Sequence, residues 1–179
     1  MTTVAEMTLT EFATEALARI GEHFPPETRL EQQVLCVAEE AGEFLASYRR
    51  WRGLARRPGS REEMEAELAD VLLASYVTAL LIDAGGITEF TRRTASRSAV
   101  LPRTVAHGVA VRWLNDLAAR AAVTFDVCID YHQALVSDLV EVAAHTIRVA
   151  DVLDIDLEAA WRNKAEKILN RPWREEMSS

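Results

Sequence analysis

Five carboxylates stand out by their spacing. Glu39, Glu40 and Glu43 fall close together, and 23 residues then separate Glu43 from Glu67, with Asp70 three positions further on. Glu40/Glu43 and Glu67/Asp70 are both i,i+3 pairs, so in helical conformation each pair lies along one side of its helix. Two adjacent antiparallel helices would aim four or five carboxylates at one point. Converging like charges repel, so such a cluster calls for a cation or for protons. Oxygen donors of this kind favour a hard cation, Mg²⁺ or alternatively Mn²⁺, over zinc.

A solvated acidic face competes with this reading, and the two helices differ in how well they resist it. On the first, Val34, Ala38, Ala41, Leu45 and Tyr48 make an apolar stripe, while Glu39 and Glu43 sit nearly opposite it. Taken alone, that pattern is an ordinary amphipathic helix with its charges in water. On the second, Glu67 and Asp70 lead directly into Val71–Ile82, where ten of twelve residues are apolar. A helix apolar all round is a buried one, and a carboxylate at its mouth is costly unless paired or metal-bound. Asp70 is therefore the least ornamental of the five.

The elements that must position these groups are helices. Thr8-x-x-Glu11, Thr28-x-x-Glu31 and Ser60-x-x-Glu63 are capping boxes, in which hydroxyl and carboxylate each satisfy an otherwise unpaired amide. They predict helices near 9–21, 29–50 and 61–83. Gly85-Gly86 opens a stretch read as a linker over 85–103, bearing Arg92, Arg93, Arg97 and Arg103. Apolar periodicity resumes over 104–124 and 129–153, and a last helix is expected from an Asp156 N-cap to Asn170. No segment shows sustained period-two alternation, so no strand is expected. The expected fold is all-α, a bundle of five to seven helices packed as one domain. One half, 1–90, carries the acids; the other spans 104–179. A shift of 71 residues lays Glu67–Asp83 on Asp138–Asp154, matching Leu68 with Leu139 and Glu67/Asp70 with Asp138/Glu141. If this echo is a duplication, the chain is a pseudo-dimer whose second half has degenerate acids, with Asn115, Asp116 and Arg120 standing for the Glu39 region.

The whole composition agrees. Of 179 residues, 49% are hydrophobic and 27% charged, with 7 Gly and 5 Pro, which excludes disordered and collagenous classes. A net charge of −8 argues against attraction to nucleic acid or an anionic membrane. Two cysteines make neither a disulfide framework nor a zinc site, and MTTVAEMTLTEF has no signal-peptide pattern. Val71–Ile82 is too short to span a bilayer. A cytoplasmic protein without a membrane partner is expected.

The segments VAEEAGEF and EAELADVL together resemble the MazG-like all-α nucleoside triphosphate pyrophosphohydrolases, whose signature is ExxE, a gap, then ExxD. Glu40-Ala-Gly-Glu43 and Glu67-Leu-Ala-Asp70 match it, and DIDLEAAWRNKAEKILNRPW is similar to that family's closing helix. In the family this helix usually follows the ExxD helix directly. Here residues 84–156 intervene, so one chain would contain what relatives build by pairing subunits. The resemblance implies hydrolysis of a nucleoside or deoxynucleoside triphosphate to monophosphate and pyrophosphate, in nucleotide-pool housecleaning. It fits metal ligation by Glu40, Glu43, Glu67 and Asp70, and Glu39, beside the cluster, is the candidate for orienting or deprotonating the attacking water. Lys164, Lys167 and Arg171 would hold phosphate oxygens, and a homo-oligomer, a dimer, is expected. The alternative is a catalytically silent bundle that binds nucleotide or metal for regulation.

Other residues carry less. Arg49, Arg50, Arg52, Arg56 and Arg57 crowd around Trp51; they suit a triphosphate, a nucleic acid or simple solvation, and Trp51 is a candidate for stacking on the substrate base. Trp113 and Trp161 read as core aromatics. Glu141 and His145, four apart, read as an ordinary helix-face pair, and no Glu-x-x-His suggests a di-iron site. Cys36, one turn from Glu39 and Glu40, reads as a buried thiol beside the site.

Overall fold

The computed structural model describes residues 7–23, 25–82, 86–102, 104–127 and 131–170. They form seven helices and no strands: α1 (Leu9–His23), α2 (Pro26–Trp51), α3 (Arg61–Leu81), α4 (Ile87–Val100), α5 (His107–Val127), α6 (Tyr131–Leu153) and α7 (Leu157–Leu169). The expected all-α bundle is what the chain adopts. No described helix is long and apolar enough to cross a membrane.

Local chemistry accounts for most helix starts. At α1, Thr8 and Glu11 form the full reciprocal box: the Glu11 amide donates to the Thr8 hydroxyl at 3.2 Å and the Thr8 amide to the Glu11 carboxylate at 2.7 Å. Ser60 accepts from the Glu63 amide at 3.0 Å, and Asp156 from the Ala159 amide at 3.0 Å. Thr28 does not cap α2. The helix starts earlier, at Pro26, because proline at the first helical position brings its own backbone angle and lacks the amide that would need a partner.

The segment expected as a linker is the helix α4. Its buried residues are Phe90, Thr94 and Ser98, a helical stripe in which two of three members carry hydroxyls. A reading that counts only apolar residues passes over such a stripe. Buried Arg148 holds α4 in place, donating from Nη2 to the Ser98 carbonyl at 2.5 Å and from Nη1 to Asp151 at 2.8 Å.

Helices α2 and α3 form one antiparallel hairpin, α5 and α6 another. They meet through α2 on α5 and α3 on α6, while α1 lies on α3. The closing helices are exchanged: α7, which follows α6, packs on α3, whereas α4, which follows α3, packs on α6. One apolar core runs through both hairpins, from Phe12, Phe44 and Leu68 to Leu114, Leu139 and Trp161. α3 lies at its centre, buried almost all round from Leu68 to Ala79. Its buried aliphatic hydroxyls are satisfied: Ser75 donates to the Val71 carbonyl at 2.7 Å, and Thr78 to the Ala74 carbonyl at 2.7 Å.

Candidate functional site

The hairpin brings the two acidic pairs together. Carboxylate oxygens of Glu40, Glu67 and Asp70 all lie within 4.8 Å of one another. Asp70 is buried, at 8% exposure, whereas Glu40 and Glu67 are half-buried. Glu43 is exposed, yet its charge acts on both Glu67 and Asp70.

Lys164 reaches this group from α7, its Nζ forming an ion pair with Asp70 Oδ2. The closing helix thus meets the acidic hairpin although the second hairpin separates them in sequence. Lys167, exposed on the same helix, adds a favourable charge at Asp70. Arg171 lies outside the described residues.

The protonation equilibria follow from burial and crowding. Burial first, then the charges of Asp70, Glu43 and Glu67, push the Glu40 carboxyl up to about 7. Glu67 is raised mainly by burial against the opposing pull of Lys164. Asp70 is also raised, because burial outweighs its ion pair. For Lys164, burial disfavours the charge, but Asp70, Glu67 and Glu40 hold the proton and the net effect is upward. Among the described residues, Lys164 and the more distant Lys167 therefore leave the cluster with more carboxylate than they compensate.

The Cys36 thiol lies 3.7 Å from Glu40 Oε1. Burial, followed by the charges of Glu40 and Glu39, pushes it up to about 12, so it stays protonated and offers neither nucleophile nor thiolate ligand. The remaining donors are all carboxylate oxygens, a set that fits a hard divalent cation. Glu39 is exposed on the turn beside Glu40, and the group of three mutually close carboxylates forms without it.

Trp51 lies two turns beyond Glu43, about 12 Å along the helix axis. It is half-buried and packs against the core, with the Tyr48 ring centroid at 6.0 Å and the guanidinium carbons of Arg52 and Arg61 each 5.9 Å from its own. Arg50 pairs with Glu63 at 2.5 Å, and Arg61 with Glu65 at 2.6 Å.

The second hairpin shows what spacing did not reveal. Trp161 is core, but Trp113 is 46% exposed. It lines a cavity of about 520 Å³ with Leu117, Asp116, Arg120, Glu141 and His145. Here Arg120 Nη2 meets Asp138 Oδ1 at 2.7 Å, and Arg97 of α4 meets Glu141 Oε1 at 2.7 Å. Arg120 of α5 thus stands across from Asp138 of α6. Trp113 was misread because it lies one step off the buried stripe of Ala110, Val111, Leu114, Ala118 and Ala121. Arg97 joins Glu141 across 44 positions of chain, a separation that carries no local signal.

No family model, curated protein or solved structure matches this chain.

Proposed function

We propose that the acidic hairpin is the active site of a MazG-like pyrophosphohydrolase, which cleaves nucleoside or deoxynucleoside triphosphates to monophosphate and pyrophosphate with Mg²⁺, or alternatively Mn²⁺. The observation that carries the reading is the convergence of Glu40, Glu67 and Asp70 within 4.8 Å, partly desolvated, with Lys164 paired to Asp70 alone. An arrangement that raises all three carboxyls above their ordinary values is unfavourable for an empty fold and favourable for a cation-binding one.

Glu40, Glu67 and Asp70 would hold the cation, with Glu43 completing the rim. When bound, the cation would offset the charge developing on the leaving pyrophosphate. Lys164 and Lys167 project from one helix, three residues apart, and would hold phosphate oxygens as point charges. Glu39 retains the role of orienting or deprotonating water, since its exposed carboxylate is adjacent to Glu40 and outside the trio. Housecleaning, a homodimer and a cytoplasmic setting belong to the same proposal.

One observation favours the second reading, a silent nucleotide- or metal-binding regulatory bundle. The Lys164–Asp70 pair already gives the most buried acid an internal counter-charge. Product analysis separates the two. The protein is incubated with Mg²⁺ and a panel of ribo- and deoxyribonucleoside triphosphates, beside Glu40→Gln and Asp70→Asn. Monophosphate plus pyrophosphate, lost in both variants, is the expected result. Diphosphate plus phosphate would refute the family reading, and no turnover by folded protein with either cation would favour the silent bundle.

A further inference from the structure

The cavity on the second hairpin sits at the counterpart of the acidic cluster, but its chemistry is reversed. Counting helix positions with Arg120 in the place of Glu43 puts Leu117 in the place of Glu40. The carboxylates that remain are already compensated. Asp138 accepts from Arg120 and, at 2.6 Å, from the Thr124 hydroxyl; Glu141 is paired with Arg97. Asp116 is left exposed at the rim, so the two guanidinium groups of the lining are matched by carboxylates and the site offers no surplus positive charge to a phosphate.

What it offers is a planar apolar surface beside mixed polar edges. Trp113 presents an indole 46% exposed, flanked by half-buried Leu117. His145 Nδ1 lies 2.9 Å from the Glu141 carbonyl oxygen. That oxygen can only accept, so Nδ1 carries the hydrogen and Nε2 is an acceptor in the neutral ring. Burial lowers the tendency of this ring to protonate. Arg97 spends Nε on Glu141 and Arg120 spends Nε and Nη2 on Asp138, leaving further N–H donors on each fork. Donors and acceptors around an aromatic face match the edges of a nitrogen heterocycle. The volume of about 520 Å³ falls in the range of small-molecule sites, about 300–1,000 Å³.

We propose that the cavity between α4, α5 and α6 binds an uncharged nitrogen heterocycle of nucleoside size, stacked on Trp113 with its polar edge toward Asp116 and His145. This site is separate from the acidic hairpin and stands whether or not that hairpin turns over nucleotides.

The test uses free adenosine, guanosine, cytidine, uridine and thymidine, titrated into the full chain by calorimetry in the presence of EDTA. At least one nucleoside should saturate. Trp113→Ala should weaken that binding about tenfold or more, Trp113→Phe should restore most of it, and Asp70→Asn should leave it unchanged. Melting curves of each variant confirm that the fold is retained. Absence of saturation by all five nucleosides would overturn the proposal, as would binding indifferent to Trp113→Ala. Tighter binding of the corresponding monophosphate, lost in Trp113→Ala, would overturn the uncharged ligand class. Loss in Asp70→Asn alone would place the nucleoside at the acidic hairpin instead.

Discussion

The two helical hairpins set similar acids in similar places and neutralise them differently. On α2–α3, Glu40, Glu43, Glu67 and Asp70 crowd together against Lys164. On α5–α6, Asp138 and Glu141 each have an arginine of their own. A guanidinium supplied by the fold closes a carboxylate site to cations, because its fixed donors occupy the oxygens that a metal would need. Among the described residues, Lys164 pairs with the most buried acid and Lys167 adds only a more distant charge, which leaves Glu40 and Glu67 in surplus. What separates a candidate metal centre from a satisfied polar surface is thus the count of compensating charges, and acid spacing alone does not reveal it.

The largest expected effect breaks the comparison at its centre. Asp70→Asn should reduce triphosphate hydrolysis by about 10²-fold or more and abolish the rise in melting temperature with Mg²⁺. Glu141→Gln, its counterpart, should change neither, as product analysis and thermal melts with and without Mg²⁺ would record. Next comes the shared core. Leu68 and Leu139 are both fully buried, so either replaced by Ala should cost about 2–5 kcal/mol. Denaturant titration should still show one cooperative transition for each variant, since both belong to one core.

A smaller effect lies in pH. Glu40 titrates near 7 in the fold against an ordinary value of 4.5, so between these values the folded state keeps a proton that the unfolded chain has released. The contribution is fully present below pH 4.5 and is lost as pH rises through 7. Stability without metal should therefore fall from pH 5 to 8, Glu40→Gln should flatten the slope, and Mg²⁺ should bind more tightly as pH rises. The smallest effect concerns Arg120→Ala. Its guanidinium is half-exposed, so urea denaturation should show a loss below about 1 kcal/mol, and the bare Asp138 should not gain a Mg²⁺ response.

What was legible in the sequence was local. Capping boxes at Thr8 and Ser60 and the i,i+3 acid pairs are short-range patterns that a helix turns directly into geometry. The apolar surround of Val71–Ile82 announced a buried α3 and hence the unusual position of Asp70. α4 was hidden because Thr94 and Ser98 bury polar side chains on a helical stripe. The partners that decide the electrostatics, Lys164 for Asp70 and Arg97 for Glu141, come from distant helices, and no spacing rule reports them.

The exchange of closing helices has a consequence during synthesis. A ribosome that has completed α6 has released every acid of the cluster but has not yet supplied Lys164 or the cover that α7 gives α3. A product truncated there would carry a sticky central helix beside uncompensated charge, a form prone to self-association and proteolysis. Closure of α3 and neutralisation of Asp70 are therefore completed only once α7 has been made.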